Sequence, residues 1–159
     1  MTDSLGAAAF VAMGVNQFAE GLMNFLPAII FLIGCFLAFA TGTSWGTFGI
    51  LIPIVVAIFA ETNETLMIIS ISACMAGAVC GDHCSPISDT TIMASAGAQC
   101  DHVTHVSTQL PYVITAALVS FVTYIIAGFV QSAWIALPVG IGLMIVTLMV
   151  IKKKTENQE

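Results

Sequence analysis

The chain has 159 residues, of which 58% are hydrophobic and 8% charged, and its mean hydropathy is +1.03. Soluble domains carry about 25% charged residues, so this composition excludes a soluble globular domain and predicts a multi-pass protein whose main partner is the lipid bilayer. The net charge of −6 comes with only three basic residues, and without a basic patch we exclude nucleic-acid binding. The five cysteines lie mostly in apolar runs, where cysteine behaves as a small hydrophobic residue, so a disulfide framework is not expected.

The first third of the chain predicts an interfacial segment followed by a hairpin. Residues 1–21 are shorter and more polar than the stretch of about 20 apolar residues that a membrane span needs, so we predict an interfacial helix or linker. Residues 22–60 contain an apolar arm, the polar stretch Thr41–Thr47 and a second, short apolar arm. This pattern is typical of a re-entrant hairpin, whose irregular tip is tolerated at membrane depth only where protein or a water-filled cavity satisfies it.

Residues 64–98 are predicted to form a broken helix that crosses the membrane once. An apolar run leads into the polar stretch Gly81–Thr91, and a run of small residues follows it. Pro86 prevents the helix from continuing through this stretch. The first half-helix is expected to end near Gly81–Asp82, and the second to begin at Ser88 or Asp89, because serine and aspartate are good N-caps.

The last third predicts two ordinary spans, 108–130 and 133–151, and a short tail, 152–159. The chain's three lysines stand at 152–154, and basic residues next to a span favour the cytoplasmic side. We therefore predict a multi-pass inner-membrane protein with a cytoplasmic C-terminus. Counting back, segment 99–108 is expected inside the cell, and the turns 61–64 and 131–132 outside.

The two polar stretches together predict one ion site. Broken helices are how secondary transporters build such sites, and carboxylate, hydroxyl and carbonyl oxygens are ligands for hard cations. Asp82 and Asp89 are the predicted cation and proton carriers, because a proton and a cation can compete for one carboxylate. No cofactor is expected beyond the transported Na⁺ and H⁺. The predicted neutral oxygen ligands are Ser85, Ser88, Thr90, Thr41, Thr43 and Ser44.

Other side chains leave alternatives to transport open. His83 suits a proton carrier or a residue that merely lines the loop, whereas His102 and His105 are predicted at the cytoplasmic surface. Cys80 and Cys84 resemble half of a zinc site, but no second pair follows, which disfavours a zinc-dependent membrane enzyme. The chain also lacks the G-x-S-x-G nucleophile elbow, so we do not expect an enzyme.

Four motifs carry a family resemblance. The strings A-T-G-T-S-W-G-T-F-G at 40–49, G-D-H-C-S-P-I-S-D-T-T at 81–91, C-D-H at 100–102 and Q-L-P-Y at 109–112 closely resemble the NhaC-type sodium/proton antiporter family. The resemblance implies an all-α ion-transporter fold of two inverted repeats, each with a re-entrant hairpin and a broken helix. This chain would supply the second repeat. Members are usually far longer, so the chain looks like a C-terminal half, and the missing N-terminal half becomes an expected partner.

The resemblance implies sodium/proton antiport and leaves two alternatives. The family includes sodium-coupled exchangers of organic acids such as malate and lactate, in which Thr41–Ser44 would hold a carboxylate. No lysine or arginine lies nearby in the sequence, which favours a cation exchanger. From a different class, the chain could be a non-transporting membrane subunit or assembly module that docks on a separate first half. A homodimer stays open.

Overall fold

The computed structural model describes residues 20–59 and 62–156. The predicted interfacial segment lies almost wholly outside these residues, as do part of the turn 61–64 and the last three residues of the tail. Within the described ranges the chain is all-helical. The helices are α1 (Glu20–Met23), α2 (Leu26–Thr41), α3 (Ser44–Phe59), α4 (Glu64–Cys84), α5 (Asp89–Gly97), α6 (His102–Val130) and α7 (Ala133–Glu156).

Helices α2 and α3 form a hairpin with a very short tip, Gly42–Thr43. Helix α2 ends because Gly42 adopts a left-handed conformation with φ +68°, which glycine reaches without steric penalty. The Thr43 hydroxyl then accepts the Gly46 N–H at 3.4 Å, and the Thr47 hydroxyl donates to the Thr43 carbonyl at 2.9 Å. Because Thr43 starts the next helix in this way, the irregular part is shorter than the predicted Thr41–Thr47.

Helix α4 is longer than the predicted first half-helix. It is capped by Asn63, whose side chain accepts the Leu66 N–H at 3.0 Å, and it runs from Glu64 to Cys84. The helix break that follows is Ser85–Ser88. Ser85 is extended, with φ −78° and ψ 126°, as expected for a residue before proline. Helix α5 begins at Asp89, one of the two predicted starting points.

The length of α4 changes the expected position of the helix break. Its 21 residues rise by about 31 Å, which is about the thickness of a bilayer's hydrocarbon core. The break therefore lies at the end of a span-length helix, whereas the sequence predicted it midway along a span. Nothing before Pro86 stops the helix, so Gly81–Cys84 are helical as well.

Helices α2 and α4 run parallel and in very close contact. A Cβ atom on Gly77 would overlap the Phe31 carbonyl, and one on Gly81 would overlap the Cys35 carbonyl. Glycine is thus required at both positions, in the way that small residues allow close packing between membrane helices. The residue numbers of both helices increase in the same direction along the contact, from Phe31 and Gly77 to Cys35 and Gly81. The two helices therefore run toward the same end of the molecule.

Helices α6 and α7 are, with α4, the three helices of the described part that are long and apolar enough to cross a membrane. They contain the predicted spans 108–130 and 133–151. Helix α6 starts earlier than predicted, and α7 continues through the lysines to Glu156. Lys152 and Glu156 pair at 3.6 Å, an i,i+4 arrangement that supports helix on an exposed face.

Three side-chain amides meet at the end of the molecule opposite the hairpin tip. Asn63 donates to the Gln131 side chain at 3.3 Å, and Gln131 donates to Asn24 at 3.4 Å. Asn24 precedes α2, Asn63 precedes α4 and Gln131 ends α6. These contacts therefore place the starts of α2 and α4 beside the end of α6, and leave the hairpin tip and the helix break together at the other end.

Candidate functional site

The hairpin tip and the helix break are in direct contact. A Cβ atom on Gly42 would lie 2.8 Å from the Ile87 carbonyl oxygen and 3.0 Å from the Ile87 carbonyl carbon. Gly42 is therefore needed both for its left-handed backbone and for this close approach. Two polar interruptions that are 45 residues apart in the sequence meet as neighbouring backbones.

Asp82 is the buried carboxylate of this region. It lies in the last turn of α4, only 3% exposed, and within the described residues its Oδ1 atom has no hydrogen-bond partner. The chain's lysines, at 152–154, are exposed at the end of α7. An ionised carboxylate buried without a partner is costly, and proteins avoid it by pairing, by cation binding or by protonation. Burial without a partner among the described residues therefore distinguishes Asp82 from the exposed Asp89.

Two fully buried serines shape the helix break. Ser85 and Ser88 are both 0% exposed. The Ser85 carbonyl accepts the Ser88 N–H at 3.3 Å, and the Ser85 hydroxyl accepts the Ile87 N–H at 3.4 Å. The Ser88 hydroxyl lies 2.7 Å from that of Thr90 and does not cap α5. The break is thus a compact turn that holds hydroxyl and carbonyl oxygens out of solvent.

Asp89 has a different environment from Asp82. It is exposed, it occupies the first turn of α5, and its carboxylate accepts the Thr90 N–H at 2.7 Å. A negative charge at a helix N-terminus is favourable by itself. Helix stabilisation therefore already accounts for Asp89, whereas it does not account for Asp82.

The predicted ligands on the hairpin tip make local contacts. The Thr41 hydroxyl is exposed and donates to the Leu37 carbonyl at 2.8 Å. Thr43 caps α3, and Ser44 is its half-buried first residue. In the described part of the chain no side-chain hydrogen bond joins the tip to the helix break, so the two approach each other through the backbone of Gly42 and Ile87.

His102 is a polar contact of the break that the sequence did not reveal. It was predicted at the cytoplasmic surface, yet its Nε2 atom lies 2.7 Å from the Pro86 carbonyl and its Nδ1 atom 3.0 Å from the Ser95 hydroxyl. The available sequence signal was the C-D-H string. Asp101 caps α6 by accepting both the N–H and the hydroxyl of Thr104 at 2.9 Å. This cap fixes the start of α6, whose first residue is His102.

A small cavity lined mostly by residues with polar side chains adjoins the break. Its volume is about 280 Å³, and two of its lining residues are imidazoles, His83 and His105. The Nδ1 atom of His83 lies 2.8 Å from the Val79 carbonyl. His105, also predicted at the surface, is half-buried here. The remaining lining residues are Thr90, Thr91, Ala94 and Gln109.

Within residues 20–59 and 62–156, no group of three or more histidine, cysteine or acidic side chains is arranged to hold a metal ion. Three span-length apolar helices and two polar interruptions in backbone contact describe an integral membrane protein, and broken helices of this kind are typical of secondary transporters. A family model described as the Na⁺/H⁺ antiporter family matches residues 6–129. The chain therefore belongs to the Na⁺/H⁺ antiporter family, which consists of transporters and not of enzymes.

Three bacterial relatives match this chain over part of their own length. An uncharacterized protein of Haemophilus influenzae is 50% identical over 83% of this chain and 25% of its own length. The malate-2H(+)/Na(+)-lactate antiporter of Bacillus subtilis is 31% identical over 69% of this chain and 24% of its own length. An uncharacterized Na(+)/H(+) antiporter of H. influenzae is 32% identical over 68% of this chain and 24% of its own length. The chain thus spans about a quarter of these relatives, and no solved structure matches it.

Proposed function

We propose that this chain carries the cation- and proton-binding part of a Na⁺/H⁺ antiporter of the inner membrane, with Asp82 as the exchanging carboxylate. The observation that carries the proposal is the buried Asp82 oxygen that lacks a partner among the described residues. It lies at the end of α4, three residues before the fully buried Ser85. The residue types around it are those that bind a hard monovalent cation.

The helix ends support a cation on the α4 side of the break. The last carbonyls of an α-helix lack intrahelical partners, and the helix dipole places partial negative charge there. Carbonyls at the end of α4 and the hydroxyls of Ser85 and Ser88 would supply neutral oxygens. Asp89, Thr90 and the tip residues Thr41, Thr43 and Ser44 would form the outer part of the site, where the exposed Asp89 attracts cations from water.

The proposed exchange follows from the burial of Asp82. Its carboxylate is stable out of water when neutralised either by Na⁺ or by a proton. Binding of one releases the other, so the two ions cross in opposite directions if the site opens alternately to each side. The chain spans about a quarter of the length of its relative, and the remaining part of the transporter would supply the opposing wall and the first repeat. The lysines at 152–154 favour a cytoplasmic C-terminus.

A sodium-coupled organic-acid exchanger is the second candidate, because the B. subtilis relative is named for malate and lactate. In that case the tip Thr41–Ser44 would hold the substrate carboxylate. The structure supports this less well than cation binding. The Thr41 hydroxyl already donates to Leu37, and the only basic residues other than histidine are the lysines at 152–154.

The test compares Na⁺ binding and flux in three matched variants. The chain is reconstituted in proteoliposomes, alone and together with the remaining portion of the 50% identical H. influenzae relative. Asp82→Asn is expected to abolish Na⁺-dependent proton flux and ²²Na⁺ binding, Asp89→Asn to weaken them, and the exposed Asp101→Asn to leave them unchanged. Normal exchange in Asp82→Asn would overturn the site. Exchange of lactate for malate would select the second candidate, and Na⁺ binding only in the presence of the remaining portion would show that the chain is incomplete alone.

A further inference from the structure

One imidazole joins three separate segments next to the helix break. His102 is the first residue of α6, Pro86 lies inside the break, and Ser95 lies in the last part of α5. The two ring nitrogens of His102 contact the Pro86 carbonyl at 2.7 Å and the Ser95 hydroxyl at 3.0 Å. Ser95 is 3% exposed, so this end of the contact is shielded from water.

Proton counting fixes the roles of these atoms. A carbonyl oxygen only accepts, so Nε2 of His102 must carry a proton whenever it bonds Pro86. The Ser95 hydroxyl has one proton but two neighbours, His102 Nδ1 at 3.0 Å and the Ile92 carbonyl at 2.9 Å. With neutral His102 the hydroxyl donates to Nδ1. With protonated His102, Nδ1–H donates to the hydroxyl oxygen, and the hydroxyl donates its own proton to the Ile92 carbonyl.

We propose that His102 is a positioning residue that holds the helix break through Pro86 in both of its protonation states, with the Ser95 hydroxyl rotating to match. Both arrangements keep the bond from Nε2 to the Pro86 carbonyl and a hydrogen bond between Nδ1 and the Ser95 hydroxyl, so a change in the protonation state of His102 does not release the break. The proposal deepens the proposed function in that the braced turn would present the ion's neutral ligands. The brace itself does not depend on transport.

The surroundings of His102 are compatible with both protonation states. On its own segment the neighbouring charge is the Asp101 carboxylate, which is engaged by Thr104. From α5 it meets the neutral Ser95, and from the helix break the neutral Pro86 carbonyl. Protonation therefore reverses the hydrogen bond between His102 and Ser95 and loses none.

The first measurement is ¹⁵N NMR of histidine-labelled chain in lipid nanodiscs. The chain has three histidines, and His83→Gln and His105→Gln variants assign their signals. We expect neutral His102 in the Nε2–H tautomer, and an Nε2 proton resonance that persists from pH 8 to pH 5. An Nδ1–H tautomer, or loss of the Nε2 bond on protonation, would overturn the proposal.

The second measurement is amide hydrogen exchange in the helix break. Loss of one hydrogen bond that fixes the turn is expected to speed exchange of the Ile87 and Ser88 amides about tenfold in His102→Ala. His102→Gln, which keeps a donor, should restore part of the protection, and His105→Ala should leave it unchanged. Equal exchange in His102→Ala and wild type would reject the brace. Faster amide exchange in the break of His102→Ala, together with normal Na⁺/H⁺ antiport by Asp82→Asn, would reject only the ion site.

Discussion

Gly42 packs against the main-chain carbonyl of Ile87 and thereby joins the hairpin tip to the helix break. The contact is between backbones, since Gly42 has no side chain and lies closest to the Ile87 carbonyl group. The break is thus held from two sides, by Gly42 at Ile87 and by His102 at Pro86. A shift of the hairpin relative to α4 would change the shape of the break directly.

Gly42→Ala is expected to destabilise the fold by about 1–2 kcal/mol from the left-handed backbone alone, and by more because the new methyl group overlaps Ile87. The matched control is Gly49→Ala in α3, where a Cβ atom meets nothing within 4 Å and helix propensity improves by up to about 1 kcal/mol. Unfolding midpoints in detergent measure both. Equal midpoints for the two variants would contradict the contact between the tip and the break.

Gly81→Ala tests the close packing of α2 on α4. A methyl group there meets the Cys35 carbonyl, which belongs to a rigid helix and cannot turn aside. Overpacking of this kind costs about 1–3 kcal/mol, so we expect a lower unfolding midpoint. Gly142→Ala in α7 is the control, because its Cβ has no neighbour within 4 Å. A Gly81→Ala protein as stable as this control would mean that the two helices are further apart.

Local sequence signals predicted the helices well where proline and glycine set their ends. The end of α2 at Gly42 and the start of α5 at Asp89 follow from residue conformational preferences. The extent of the irregular stretches did not follow from polarity. Thr43 is polar but starts a helix, and Gly81–Cys84 are polar but continue one, because a helix tolerates polar residues as long as its backbone bonds are made.

The missed parts of the candidate site are contacts between segments. His102 meets Pro86 across 16 residues, and no periodicity or capping rule connects the two. Asp82 and Asp89 looked equivalent in the sequence, and only burial separates them. The amino-acid sequence thus indicated which residues belong to the region, whereas their separate roles depend on how α4, α5 and α6 pack.

The cap of α6 is expected to weaken in acid. Hydrogen bonds from Thr104 to the Asp101 carboxylate hold the pKa of that carboxyl below its usual value of 3.8. A lowered pKa means that the charged cap stabilises the helix at all pH values above about 4 and that the contribution is lost as the pH falls through the lowered pKa. Hydrogen exchange of the Thr104 amide, measured against pH in wild type and in Asp101→Asn, tests this loss of the cap. The asparagine caps the helix without a charge. Protection that does not fall in acid would contradict it.

The unfolding temperature of Asp82→Asn should show that the variant loses sodium binding while it keeps the fold. Sodium at ten times its dissociation constant stabilises a protein that binds it by about 1.4 kcal/mol, so wild type should unfold at a higher temperature in NaCl than in choline chloride. Asp82→Asn should lose this difference. In choline chloride Asp82→Asn should be at least as stable as wild type, because the amide replaces a buried carboxyl group whose Oδ1 atom has no hydrogen-bond partner among the described residues.

The control for this experiment is Asp89→Asn. Asp89 is exposed and lies at the start of α5, so its loss should slightly lower the midpoint in both salts and preserve most of the sodium effect. The opposite result, with the sodium effect lost in Asp89→Asn and kept in Asp82→Asn, would transfer the exchanging role to the exposed carboxylate. Burial would then no longer explain why a proton and Na⁺ compete, and the competition would have to be explained by other residues.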